Sequence, residues 1–281
     1  MYLFNNPQVN SIIDLALNED IGTGDITTLT TIPQDKIANG RFIAKEDMVI
    51  CGVELAKYIF AKVDNSIEFE ANFSDGDKVN KGEIIATVKG NAQNVLTGER
   101  TALNFMQRLT GIATRTSAAV AEVEGTNAKI ADTRKTTPGM RVLEKYAVRM
   151  GRGTNHRFNL ADGVLIKDNH IAVSGGIKNA IQNARKVIPH TLKIEVEVET
   201  KEQLNEALEA GADIIMLDNM SNEMMAECVK IADGRAMLEA SGNMGEKSLR
   251  EVAQTGVDII SIGALTHTVK AADISLKFTI S

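Results

Sequence analysis

One pattern repeats through the second half of this 281-residue chain: a short run rich in Ile and Val, a polar residue at its end, then an amphipathic helical segment. The runs fall at 129–131, 163–166, 192–198, 213–217, 236–238 and 258–262. A spacing of roughly 20–35 residues leaves room for a crossover helix between short parallel strands. Between the runs, Leu204, Ala207 and Leu208 share a helical face ahead of Gly211, and Leu249, Val252 and Ala253 share one ahead of Gly256. Each glycine suits the left-handed position that ends a helix. A string of βα units restricts this region to an α/β barrel or a doubly wound sheet, and in both architectures ligands meet the C-terminal ends of the strands.

The first half follows another period. "NGRFIAKEDMVICG" and "NSIEFEANFSDGDKVNKGEIIATVKG" alternate apolar and polar residues around turns at Gly76 and Gly82, which predicts antiparallel strands of a separate α+β layer. Residues 93–123 predict a long helix with Leu96, Leu103, Met106, Leu109 and Ile112 near one face and Arg100, Asn104 and Gln107 around another. The opening segment, 1–20, lacks a basic region followed by an apolar run and predicts an amphipathic first helix rather than a secretory signal. No stretch approaches the roughly 18 apolar residues of a membrane span, so a cytoplasmic protein with no membrane partner is expected. The tail "ALTHTVKAADISLKFTIS" is expected to return to the first domain as helix and strand. The predicted division is an N-terminal domain at 1–110, joined by 266–281, and a barrel domain at 111–265.

Charge is distributed unevenly. The chain carries 31 Lys and Arg against 37 Asp and Glu, a net charge of −6, yet residues 133–158, "TRKTTPGMRVLEKYAVRMGRGTNHRF", hold seven Lys or Arg against the single acid Glu144. A pI near 5.4 argues against nucleic acid or an anionic membrane as partner, and the local cluster points instead to a small anionic ligand. Within the stretch, Pro138 and Gly139 turn the chain into a helix on which Arg141, Lys145 and Arg149 recur every four residues, a face expected to meet solvent or a neighbouring subunit. Arg134, Lys135, His156 and Arg157 fall in the flanking loops, where binding groups are usually placed. The other strand ends carry Lys167-Asp168-Asn169-His170, Glu197 or Glu199, Asp218-Asn219, Glu239 to Ser241, and Gly263. Along "KIEVEVET", alternation sets Glu195, Glu197 and Glu199 opposite Ile194, Val196 and Val198. The glutamates should face a barrel interior, where they need Lys, Arg or a metal as partners. Cys51 and Cys228 have neither metal-ligand spacing nor a disulfide framework and read as buried free thiols.

Taken alone, these features admit other chemistries. Lys167 ends a strand as a Schiff-base lysine of a barrel aldolase would. "DGDKVNKGEIIATVKG" looks like half of a biotinyl or lipoyl carrier domain, but no lysine sits at a hairpin tip in the modified context, which favours a structural role.

Eight motifs in order, "EDIGTGDITT", "GERTALNFMQRLTGIAT", "DTRKTTPGMRVLEKYAVRMGRGTNHR", "VLIKDNH", "EVEVE", "IMLDN", "EASGN" and "ISIGALTH", resemble the quinolinate phosphoribosyltransferases from about residue 19 to 268. The resemblance implies an N-terminal open α/β-sandwich domain and an incomplete α/β barrel. The implied reaction joins quinolinate to 5-phosphoribosyl 1-pyrophosphate with Mg²⁺, giving nicotinate mononucleotide, pyrophosphate and CO₂. By the same resemblance, quinolinate falls to Arg134, His156, Arg157 and Lys167, beside Thr133, with Arg100 delivered from a partner subunit of a homodimer or larger assembly. Lys135 and Lys167 match lysines near the pyrophosphate and the reacting centre. Glu197 and Asp218 match the acids around the ribose and its metal, bound directly or through water. Ser241, Gly242, Asn243 and Gly263 match the end that receives the 5′-phosphate. Some family members carry Gly at Asn243, a change that keeps the backbone donor. The molybdenum-utilisation relatives of similar fold are the nearest alternative, and the full "TRKTTPG…NHR" set favours the quinolinate enzymes.

Overall fold

A computed structural model describes residues 6–245 and 247–279 of the chain. The expected first helix at 1–20 therefore lies partly outside the described residues. Its described part is α1 (Pro7–Ile21), capped by the Asn6 side chain, which accepts from the Gln8 N–H. After it come α2 (Ile26–Thr31), β1 (Ile37–Ala44), β2 (Met48–Val49), α3 (Val53–Val63), β3 (Glu68–Ala71), β4 (Lys78–Val79), β5 (Ile84–Asn91) and α4 (Ala92–Glu122). The βα series follows as β6 (Lys129–Ala131), α5 (Arg141–Met150), β7 (Val164–Ile166), α6 (Asp168–Ser174), α7 (Ile177–Arg185), β8 (Ile194–Val198) and α8 (Lys201–Glu209). It ends with β9 (Ile214–Asp218), α9 (Asn222–Ala232), β10 (Met237–Ser241), α10 (Leu249–Gln254), β11 (Ile259–Ser261), α11 (Ala264–His267) and β12 (Ile274–Thr279).

The chain divides into two compact units. The first holds residues up to Ser117, Thr136–Arg152 and those from Thr268 onward; the second holds Ala118–Lys135 and Gly153–His267. The first unit has an antiparallel sheet in the order β12-β1-β5-β3 and a small β2-β4 ladder. The tail strand pairs with β1 from Asn39 opposite Thr279 to Ala44 opposite Ile274. Phe42, Phe60 and Phe69 meet behind the larger sheet with ring centroids 5.8–6.1 Å apart.

The compact units divide the chain at other points than the expected boundary between 110 and 111. Residues 111–117 and 136–152, placed in the barrel domain by sequence, belong to the first unit. The tie is local: Tyr146 of α5 donates to Asp75 at 2.8 Å, and Gly151 lies so close to α4 that a Cβ there would meet the Ala113 carbonyl oxygen at 2.4 Å. The Arg141, Lys145 and Arg149 face is not uniformly exposed either. Lys145 is buried, between the half-buried Arg141 and the exposed Arg149, in the same turn of α5 as the buried Glu144.

In the second unit six parallel strands run in the order β6-β11-β10-β9-β8-β7. From β7 to β11 spatial neighbours are sequence neighbours, and β6 then pairs with the last strand. The sheet therefore curls around on itself, with no switch point, and stays open between β6 and β7: an incomplete barrel. Thr154 makes a parallel bridge to Ala131, extending the sheet at the free side of β6. The outward strand residues Ile166, Ile194, Val196, Val198, Ile215, Leu217, Leu238, Ala240, Ile260 and Ile262 form one core with the helices. Alternation then assigns the opposite face to the polar residues.

Candidate active site

Within the second unit, the inward residues fall into two tiers. At the strand ends stand Lys167 after β7, Glu197 on β8, Asp218 on β9, Ser241 on β10 and Gly263 after β11. Register brings the strand ends side by side, with Ser241 opposite Asp218 and Glu197 opposite Met216. The second tier, Glu195, Glu239 and Ser261, is buried.

The upper tier is already a network of charges. The Lys167 ammonium is ion-paired with the Glu197 carboxylate, and its backbone N–H donates to His170 Nδ1 at 3.0 Å. Asp218 accepts from the Asn219 side chain at 2.7 Å. The Asn219 backbone N–H donates to the Ser241 carbonyl at 3.1 Å, which ties β9 to the turn after β10. In that turn Gly242 has φ +89°, and a Cβ would sit 2.2 Å from Asn219 Oδ1, so only glycine fits. Asn243 follows, also left-handed at φ 53°. Across the sheet, Lys135 extends over Gly263, where a Cβ would meet its Cδ at 2.9 Å, and the Lys135 carbonyl accepts from the Thr266 hydroxyl at 2.7 Å. Thr133 Oγ1 accepts from the Lys135 N–H at 3.0 Å, closing the turn that presents Arg134.

Arg134 and Arg157 bring two cations together. Burial first, and the Arg134 charge next, hold the Arg157 guanidinium below its usual range. Arg157 Nη1 donates to the Gly163 carbonyl at 3.1 Å, which fixes the side chain at the open side of the barrel. Two partly buried cations that disfavour each other gain from an anion between them, and Arg suits a planar carboxylate.

His156 is held on three sides. Its backbone N–H donates to Asp132 Oδ1 at 2.9 Å, Nδ1 accepts from the Arg157 N–H at 2.7 Å, and Nε2 faces Glu195 at 3.1 Å and Glu239 at 3.7 Å. Burial, then the Glu195 charge, pushes the Glu239 carboxyl up to about 7. The donor atoms of His156, Glu195 and Glu239 lie within 4.8 Å of one another, spacing that a metal ion accepts. With Nδ1 accepting an N–H, however, a neutral ring carries its proton on Nε2, and that edge has no lone pair to offer a cation.

Of the residues expected from sequence, Arg134 is thus set beside Arg157, Lys167 beside Glu197, and Lys135 beside Gly263, with Asp218 and Ser241 on adjoining strand ends. Arg100 is exposed on α4 and belongs to the first unit. Sequence reasoning placed Asp132, Asn219 and Glu239 at strand ends and Glu195 on the interior face but gave none of them a role in the site. The signal for the two glutamates was present in the alternation of "KIEVEVET" and "EASGN", which sets them on the interior face.

The comparisons with known proteins agree along the chain. The quinolinate phosphoribosyl transferase N-terminal domain family matches residues 25–110, and the C-terminal domain family matches residues 112–277. The chain belongs to the quinolinate phosphoribosyltransferase family. It is 45% identical over 277 residues to a protein of Bacillus subtilis (strain 168) described as a probable nicotinate-nucleotide pyrophosphorylase (carboxylating), an alignment covering 99% of this chain and 96% of that one. It is also 45% identical over 288 residues to the Nicotiana glauca quinolinate phosphoribosyltransferase (decarboxylating) 2, covering 96% of this chain and 82% of the relative. Among solved structures, the nicotinate-nucleotide pyrophosphorylase from Francisella tularensis superposes with a TM-score of 0.93 at 43% identity, covering 97% of this chain and 96% of that chain. The Ehrlichia chaffeensis enzyme gives 0.92 at 40%, covering 96% and 98%. In this family member no helix among the described residues is long and apolar enough to cross a membrane.

Proposed function

We propose that the protein transfers the 5-phosphoribosyl group of 5-phosphoribosyl 1-pyrophosphate to quinolinate, with decarboxylation, to give nicotinate mononucleotide, pyrophosphate and CO₂ in de novo NAD synthesis. The family membership and the activities for which full-length relatives are named support the reaction. The observation that carries it within the molecule is the proximity of Arg134 and Arg157, a cationic pair that favours a planar carboxylate, with the Lys167–Glu197 ion pair at a strand end of the same unit.

Quinolinate is held by Arg134, His156, Arg157 and Lys167, beside Thr133, which aim its ring nitrogen at C1 of the ribose. As the nitrogen–carbon bond forms, the C1–oxygen bond to pyrophosphate breaks and positive charge develops on the sugar. Glu197 and Asp218 stabilise that charge, and Lys135 stabilises the departing pyrophosphate. The bond to the neighbouring carboxylate then breaks to release CO₂. Its electron pair stays on the ring carbon beside the cationic nitrogen, where a proton from solvent replaces it. Ser241, Gly242, Asn243 and Gly263 receive the 5′-phosphate on backbone N–H groups.

Glu197 and Asp218 also fit Mg²⁺, directly or through water, because carboxylates at adjacent open strand ends offer the oxygen donors that this hard ion prefers. When bound, Mg²⁺ supplies further neutralisation of the diphosphate. A homodimer in which Arg100 reaches the neighbouring site is part of the proposal, in keeping with that side chain's exposure on α4. Two buried free cysteines, Cys51 and Cys228, accord with a reducing compartment such as the cytoplasm.

The test is direct: purified protein with Mg²⁺, quinolinate and 5-phosphoribosyl 1-pyrophosphate should yield nicotinate mononucleotide and CO₂ together. Turnover of nicotinate but not quinolinate would overturn the substrate assignment. Mixing Arg100→Ala with Lys167→Ala protein should restore part of the activity, and failure despite proven subunit exchange would remove Arg100 from the neighbouring site.

A further inference from the structure

We propose that Glu195 and Glu239 are positioning residues for acceptor binding: together they clamp the Nε2 edge of His156, and the clamped ring fixes Arg157 through its Nδ1. The proposal rests on the reading above that Arg157 holds the acceptor's carboxylate.

Both glutamates are an expensive choice for their positions. Glu195 is 5% exposed and Glu239 1%, on the same interior face as the lower tier of the barrel, where an apolar side chain would pack without losing hydration. Among the described residues the buried Glu239 Oε1 has no hydrogen-bond partner, and His156 Nε2 lies 3.7 Å from it. Glu195 brings both oxygens to the same nitrogen, at 3.1 and 3.4 Å. The opposite ring edge is committed as well, because Nδ1 accepts the Arg157 backbone N–H at 2.7 Å. A ring whose two nitrogens are both engaged has one orientation and one neutral tautomer, Nε2–H.

The ring thus acts as a strut. Asp132, fully buried at the end of β6, holds the start of the strut by accepting the His156 N–H and the Asn155 side-chain N–H at 2.6 Å. The far end is the Arg157 backbone, whose guanidinium is steadied separately by the Gly163 carbonyl. Loss of the carboxylates frees the ring to turn, and the Arg157 N–H loses its acceptor. The effect falls on the acceptor side of the site, because the strut ends on Arg157.

Steady-state kinetics and nitrogen-15 NMR of the full-length protein test the assignment. Glu195→Gln and Glu239→Leu should each raise the quinolinate KM about tenfold or more, with the KM for 5-phosphoribosyl 1-pyrophosphate within about threefold, whereas Glu239→Gln should restore near wild-type values. In the unliganded wild type, His156 should show the Nε2–H tautomer, and Glu195→Gln should shift its ring nitrogens. A wild-type Nδ1–H ring, or equal losses for both substrates, would overturn the proposal. If the wild type turned over no quinolinate, the functional reading would fail, while the His156 spectrum would still report on the clamp by itself.

Discussion

Arg108 donates from both Nε and Nη2 to one oxygen of the fully buried Glu144 carboxylate, at 2.9 and 2.6 Å. The other oxygen accepts the Thr137 N–H at 3.0 Å, and Arg108 Nη2 also donates to the Thr137 hydroxyl at 2.6 Å. The one acid of the basic stretch is therefore a buried counterion, and it anchors the loop that follows Lys135. Glu144→Ala should cost about 3 kcal/mol, because it strands a partly buried guanidinium and a backbone donor. Urea denaturation measures this, and a loss below about 1 kcal/mol would mean that the pair behaves as a surface salt bridge.

Arg134→Ala should raise the quinolinate KM by roughly two orders of magnitude while the fold is retained, since a charge-assisted carboxylate contact is lost from a partly buried site. Circular dichroism and steady-state kinetics on the same preparation check both halves. Unchanged kinetics would remove Arg134 from the site.

Two glycines should fail differently. At Gly242 a Cβ would press on Asn219 Oδ1 at 2.2 Å and on the Asn219 backbone nitrogen at 2.8 Å, at a φ that L residues rarely adopt. Gly242→Ala should lower the melting temperature and raise the KM for 5-phosphoribosyl 1-pyrophosphate, and Asn219→Gly, tolerated at φ 54°, should recover part of the loss. At Gly263 the Cβ would meet side chains rather than backbone, the flexible Lys135 Cδ at 2.9 Å and the His267 ring at 3.1 Å. Gly263→Ala should therefore leave the melting temperature nearly unchanged and lower kcat/KM about tenfold by displacing Lys135.

The buried Glu239 predicts a pH dependence of stability. Its folded value, pushed up to about 7 from the ordinary 4.5, means that between these pH values the folded state keeps a proton that the unfolded state has lost. The slope of unfolding free energy against pH is then negative, so this group's contribution falls as pH rises from about 4.5 to 7. Glu195, His156 and Lys167 are the charged groups around it. Glu239→Gln should flatten that decline in denaturation curves measured across the window, and an equally steep decline in the variant would assign it to other groups.

Much of the barrel was legible because its strands bury one face against helices, and burial leaves a period of two in the sequence. The outward residues of β8, Ile194, Val196 and Val198, are an example. Where the inward face is polar and buried the signal fades. The candidate strand at 236–238 stops short of β10, which continues through Glu239, Ala240 and Ser241, because a buried glutamate reads locally as the end of an apolar run. Lys145 was misplaced for the same reason, since a lysine on an amphipathic helix reads as solvated whatever packs over it.

By itself the sequence determined the strands and helices, the class of the second unit, and the concentration of cations at strand ends, all of which follow from local periodicity and charge. Only the tertiary structure decided that the helix Arg141–Met150 joins the first unit, that β6 closes onto β11, and that Glu195 and Glu239 converge on His156. These are relations between residues far apart in the chain. They are set by which surfaces exclude water together, a property that no single segment carries.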